Sequence, residues 1–157
     1  MNRYNDLLKE ITENKVIPTD RDEKVLIIDG LNNFLRCFSA ISTLNDEGEP
    51  VGGLTGFLLS LGAAIRLHNP TRCIIVFDGE GGSQRRRKVY SGYKEGRMFK
   101  SKLNRQLVSE GIDEQASLRK QYVKLHEYLA LLPVTIVVEP RIEADDAIGY
   151  IAKQILD

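Results

Sequence analysis

The sequence predicts an α/β domain: a mostly parallel sheet flanked by helices. Short apolar runs rich in β-branched residues recur at residues 24–29 (KVLIID), 71–77 (TRCIIVF) and 134–138 (VTIVV), the composition of strands buried on both faces. Segments with helical apolar spacing separate them, and strand, helix, strand is the parallel crossover unit. Each run is also followed by acid: Asp29, then Asp78, then Glu143, Asp145 and Asp146. In a parallel sheet the carboxyl ends of the strands share one edge, so these side chains, distant in sequence, are expected to converge there.

The elements follow in order. Residues 1–23 are polar and charged, with Tyr4, Leu7, Leu8 and Ile11 at i, i+3, i+4 and i+7. That spacing predicts a short amphipathic helix, docked on the domain, in an extension preceding the core. After the first strand, Gly30 turns the chain into a helix over about residues 32–40. Residues 44–53, with Asn45, Gly48, Pro50 and two further glycines, read as a loop. Helix resumes over 54–68, spaced by Leu54, Phe57, Leu58, Leu61 and Ile65, and Asn69-Pro70 ends it. Beyond the second strand a GEGG turn leads into residues 83–116, which are basic, contain Gly92, Gly96 and Gly111, and show little apolar periodicity. A polar stretch that long in a compact domain is usually functional or mobile. Leu118, Tyr122, Leu125, Tyr128, Leu129 and Leu132 predict a helix over 117–132, closed by Pro133. The last helix, over 142–156, carries a stripe of Ile148, Ile151 and Ile155.

A length of 157 residues and 42% hydrophobic content fit one domain, spanning residues 24–157, whose core needs no disulfide or structural metal. Cys37 and Cys73 lie in apolar segments without the paired spacing of zinc ligands, and read as small buried hydrophobes in a reducing compartment. No apolar run reaches the ~18 residues of a membrane span. The amino terminus lacks a signal-peptide core, so a cytoplasmic protein with no membrane partner is expected. Net charge is zero, with 22 basic and 22 acidic residues, which argues against uniform positive charge as the basis of nucleic-acid binding. The charge is nonetheless segregated: residues 84–105 hold nine Lys or Arg against the single acid Glu95, a local charge of +8.

Five carboxylates at one edge would repel and raise each other's pKa, and Mg²⁺ or Mn²⁺ with all-oxygen ligation relieves that repulsion. Asp29 and Asp78 each precede a glycine, a pattern that ordinary turn chemistry also explains. In RIEADDAIG the acids fall in the first turn of a helix, where the macrodipole favours negative charge, which accounts for one or two of them. On that helix Glu143 and Asp146 share a face. Asp145 projects about 100° round, beside the stripe begun by Ile148, a costly place for an unpaired acid. The basic run leaves the same edge as Asp78. A charged run can be a solvated surface; beside a metal site it can instead hold a phosphodiester. Tyr90, Tyr93 and Phe99, interleaved with it, can stack on bases or pack locally. His68 and His126 are lone histidines without ligand spacing. There is no GxxxxGK[ST] phosphate loop, Asp29-Gly-Leu lacks the second Asp of a phosphoaspartyl phosphatase, and no Ser or Cys sits in a nucleophile elbow.

As a set these blocks resemble the 5′ nuclease family: the flap endonucleases, the 5′ to 3′ exonuclease domain of bacterial DNA polymerase I, and the phage 5′ nucleases. VLIIDGLNNFLRCF is similar to the family's opening strand with its metal-binding Asp, IIVFDGEGGSQRRRKVYSGYKEGR to its second strand and basic motif, and IEADDAIGYIA to its acidic helix. The resemblance covers about residue 24 to the end. It implies a PIN-like 5′ nuclease core with a basic helical-arch insertion, at about 98–116, through or under which a single-stranded 5′ end passes. It implies that Asp29, Asp78, Glu143, Asp145 and Asp146 hold Mg²⁺ or Mn²⁺, directly or from behind the ligands, with two ions in the complete protein. Lys94 and Arg97 would be the catalytic basic residues on the scissile phosphate, with one of Arg85, Arg86 and Arg87 as a further phosphate contact. The nucleic-acid surface would comprise Arg85, Arg86, Arg87, Lys88, Tyr93, Lys94, Arg97, Lys100, Lys102 and Arg105.

The activity so implied is metal-dependent hydrolysis of phosphodiesters in DNA with a 5′ flap or 5′ end, or in RNA–DNA hybrids, during replication or repair, in the host cytoplasm for a phage protein. Two alternatives stand beside it: a non-catalytic nucleic-acid-binding fragment and a related PIN-like ribonuclease. The family continues past the acidic helix with another strand bearing two metal-binding aspartates and a helix-hairpin-helix type module. This chain reaches Asp157 before both. A truncated core is therefore expected, its carboxyl-terminal half belonging to a longer parent chain or supplied by another chain.

Overall fold

A computed structural model describes residues 24–81 and 103–156. Strands β1 (Val25–Asp29), β2 (Arg72–Phe77) and β3 (Thr135–Val138) form one sheet in the order β1-β2-β3, with both pairings parallel. Helices α1 (Gly30–Ala40) and α2 (Gly52–His68) connect β1 to β2. The short α3 (Arg105–Ser109) and the longer α4 (Glu114–Leu129) precede β3, and α5 (Ala144–Leu156) follows it.

β2 lies between two strands and is covered on both faces, which is why its sequence is apolar without alternation. Its side chains nevertheless alternate in direction. Cys73, Ile75 and Phe77 enter a core with Phe34 and Phe38 of α1, Phe57 and Leu61 of α2, and Leu125 and Leu129 of α4. Ile74 and Val76 enter the opposite core with Ala144, Ala147, Ile148, Ile151 and Ile155 of α5. The register sets Asp29 opposite Val76 and Phe77 opposite Val138. Asp78, two residues past Val76, therefore stands about 7 Å farther along the strand direction than Asp29.

Helix ends differ from the periodicity-based expectations where capping groups act. α1 begins at Gly30 because the Asp29 side chain accepts from Asn32 N at 3.0 Å. α2 begins at Gly52, and its first turn is capped from another helix: Gln121 Oε1 accepts from Gly53 N (2.8 Å) and Leu54 N (3.2 Å). α4 begins three residues earlier than expected because Asp113 caps Gln115 N and Ala116 N, and it ends at Leu129, before Leu132. α5 starts at Ala144, two residues later than expected.

The end of the basic stretch also departs from expectation. Its described part is packed on the core, with Leu107 and Asn104 each 1% exposed and Leu103 and Ile112 lying against the same cluster. Asn104 binds it in place by donating from Nδ2 to Phe38 O (2.6 Å) and Ile41 O (3.2 Å) while Oδ1 caps Leu107 N. The expected helix at Tyr4–Ile11 falls outside the described residues, as do Arg85, Arg86, Arg87, Lys88, Tyr93, Lys94, Arg97, Lys100 and Lys102. Arg105 is described, and is exposed at the start of α3. No helix of the described residues is long and apolar enough to cross a membrane.

Candidate functional site at the carboxyl edge of the sheet

Two loops leave the carboxyl edge side by side, after β2 and after β3. They are laced together by backbone bonds from Gly79 N to Ile142 O (3.0 Å) and from Arg141 N to Glu80 O (2.9 Å). The lacing is close enough to demand glycine: a Cβ on Gly79 would fall 1.7 Å from Glu139 O. Asp78 completes the junction by accepting from Ala144 N at 2.7 Å, the first residue of α5. The strand-end acid of β2 and the acidic start of α5 are thus held as one unit.

The remaining acids take three different settings. Asp29 is partly buried at the end of β1 and caps α1. Glu143 is 4% exposed and precedes α5, its carbonyl accepting from Asp146 N and Ala147 N at 3.1 Å. Asp145 and Asp146 are exposed in the first turn of α5, where the positive end of the helix dipole favours them. The expected strain at Asp145 is not found. The buried stripe is centred on Ala144, with Ala147, Ile148, Ile151 and Ile155, and Asp145, about 100° from Ala144, is exposed. The acid withdrawn from water is Glu143.

Tyr122 is the site residue that the sequence did not reveal. It lies among Phe34, Phe77 and His126, with ring centroids 5.3, 5.9 and 4.5 Å away. Burial first, then the carboxylates of Asp78 and Asp29, push its pKa up to about 12. The strand-end acids of β1 and β2 thus both act on one phenol of α4. Its only sequence signal is a tyrosine in an apolar helical stripe, where the hydroxyl must reach a polar setting. Burial also raises both thiols, Cys37 and Cys73, so neither is poised as a nucleophile.

All the acids at this edge offer oxygen, the donor type that suits a hard divalent cation. In that chemical sense the set fits Mg²⁺ or Mn²⁺. Its placement is more open: among the described residues no three Asp, Glu, His or Cys side chains lie close enough to share an ion. Asp29 and Asp78 each give an oxygen to a helix start, while Asp145 and Asp146 face outward.

Comparison with known proteins adds a family. The model of the 5′-3′ exonuclease N-terminal, resolvase-like domain matches residues 24–157. A thermostable DNA polymerase I of Thermus filiformis is 32% identical over 132 residues, covering 84% of this chain and 14% of that protein. The flap endonuclease Xni of Shewanella sp. (strain MR-4) is 33% identical over 129 residues, covering 82% of this chain and 42% of the relative. The chain therefore spans less than half the length of either relative. A crystal structure of the T5 D15 protein co-crystallised with metal ions shares the fold, with a TM-score of 0.58 at 17% identity over 83% of this chain and 44% of that one.

Proposed function

We propose that this chain, which belongs to the 5′-3′ exonuclease N-terminal, resolvase-like domain family, is the catalytic core of a divalent-metal-dependent 5′ nuclease. Its substrate would be DNA with a 5′ flap or 5′ end, or an RNA–DNA hybrid, of the kind formed in replication and repair. The observation that carries this reading is the junction in which Asp78 caps Ala144. It ties a strand-end carboxylate to the helix that presents Asp145 and Asp146.

Asp29, Asp78, Glu143, Asp145 and Asp146 would hold Mg²⁺ or Mn²⁺, two ions in the complete protein. Such ions lower the pKa of water and stabilise charge on attacking and leaving oxygens. Burial and the charges of Asp78 and Asp29 together raise the pKa of Tyr122. Lys94 and Arg97 would orient the scissile phosphate and balance its charge. The basic series Arg85, Arg86, Arg87, Lys88, Lys100, Lys102 and Arg105, with Tyr93, would hold the strand, and such binding weakens steeply with salt.

One observation favours a second reading for this length of chain. Because no three metal-ligating side chains converge among the described residues, the domain can act as a nucleic-acid-binding fragment that cuts only with further carboxylates from a carboxyl-terminal half. A 5′-labelled flap DNA, incubated with the chain and Mg²⁺ or Mn²⁺, separates the two. Cleavage abolished by EDTA supports the complete catalytic core, whereas binding without cleavage supports the fragment. A parallel RNA substrate tests for a ribonuclease.

A further inference from the structure

We propose that the contact between Gly30 and Phe77 is a spacer that sets how far apart the Asp29 and Asp78 carboxylates stand, which makes both residues positioning residues for the metal-dependent reaction. The inference rests on the reading of those acids as cation ligands. The paired positions of β1 and β2 end at Asp29 and Val76. Gly30 and Phe77 come next along each chain, so each is the immediate neighbour of one acid. There the strand ends meet by direct packing. A Cβ on Gly30 would fall 2.4, 2.6 and 2.7 Å from Cε1, Cζ and Cδ1 of the Phe77 ring, well inside the roughly 3.5 to 4.0 Å at which carbon atoms rest.

Neither partner has room to step aside. Positive φ occurs at Gly48, Gly81 and Gly111 but not at Gly30, so what position 30 requires of its residue is space and not conformational freedom. The Phe77 ring is 2% exposed and is hemmed in from α4, with the Tyr122 ring edge-on at 5.9 Å and the His126 ring at 4.4 Å between centroids. In so close-packed an interior a methyl at position 30 must push the start of α1 away from the end of β2. The acids travel with those elements. Asp29 is tied to α1 by its bond from Asn32 N, and Asp78 to α5 by its bond from Ala144 N, so neither carboxylate can swing back without giving up a hydrogen bond.

The test is isothermal titration of Mn²⁺ into the unmodified chain, Gly30→Ala, Phe77→Leu and the two combined, with urea stability followed in parallel. Gly30→Ala should bind Mn²⁺ about tenfold more weakly or worse. Phe77→Leu, which removes Cε1 and Cζ, should also weaken binding, because the spacer is lost. In the combined variant the methyl enters the space the ring leaves, and affinity should return to within about threefold of the unmodified chain. Leu129→Ala, a core truncation at the end of α4, should lose stability and keep its Mn²⁺ affinity. If Gly30→Ala does not fold, the combined variant is compared with Phe77→Leu and should bind more tightly. Unchanged affinity in either single variant, a combined variant that binds no more tightly than they do, or weakened binding in Leu129→Ala would overturn the inference and leave the cation site in place. No Mn²⁺ binding by the unmodified chain would instead overturn the reading of the acids as ligands, and the inference with it.

Discussion

Asp78 and Ala144 are 66 positions apart in sequence, yet the carboxylate of one accepts the backbone N–H of the other at 2.7 Å. The bond has two separable consequences. It caps α5, and it fixes a strand-end acid against the acidic turn that holds Asp145 and Asp146.

Asparagine at position 78 separates those roles. Its Oδ1 can still accept from Ala144, so Asp78→Asn should leave stability within ~0.5 kcal/mol by urea denaturation. Asp78→Ala should lose about 1 kcal/mol with the cap. Nuclease activity should fall about a hundredfold or more in both, as measured on 5′-labelled DNA. Activity retained in Asp78→Asn would restrict Asp78 to a structural role.

Gly79→Ala tests the lacing of the two loops. A Cβ there would lie 1.7 Å from Glu139 O, so the loops must part, at about 3 kcal/mol. Separating them draws Asp78 away from α5, and the variant should lose activity beyond what its reduced stability explains. Thermal denaturation and cleavage measured below the melting range distinguish the two effects.

Asn104 anchors the described end of the basic stretch. Asn104→Ala removes two donor bonds, to Phe38 O and Ile41 O, and the cap on Leu107 N in a site 1% exposed. The expected destabilisation is about 2 to 4 kcal/mol in a urea titration. Asn104→Asp should not rescue it, because a carboxylate would face the Phe38 and Ile41 carbonyls.

Such contacts mark the limit of what the sequence carries. The strands and their parallel direction were legible because buried parallel strands are apolar in unbroken runs. The caps from Asp29 and Asp113 are local, and their residue types announce them. Gln121 on the first turn of α2 and Asn104 on the end of α1 are side chains reaching 63 to 68 positions back, with no periodic trace in the chain. Asp145, expected beside the buried stripe, is exposed, and Glu143 ahead of it is buried, because α5 starts at Ala144, with that alanine centred on the buried stripe. Tyr122 carries in the sequence only the signal of an apolar helical stripe.

Tyr122 gives a pH signature. Its pKa is raised from 10.0 to about 12 by burial, Asp78 and Asp29. An unfolded tyrosine ionises near 10, so between about pH 10 and 12 the unfolded state binds fewer protons and stability falls as pH rises. The contribution is complete below pH 10 and lost as pH passes through the folded value. Urea midpoints of Tyr122→Phe should decline less steeply across that window than those of the unmodified protein; parallel curves would contradict the assignment.

Thermal unfolding of the chain during a Mn²⁺ titration, beside the double variant Asp29→Asn with Asp78→Asn, most directly tests the proposed cation site at the carboxyl edge of this sheet. Binding to the folded state alone raises the melting temperature with metal concentration, by about 2.7 kcal/mol of stabilisation at a hundredfold excess over Kd. The unmodified chain should show that rise and the double variant should lose it. An equal rise in both, or none in either, would contradict the claim.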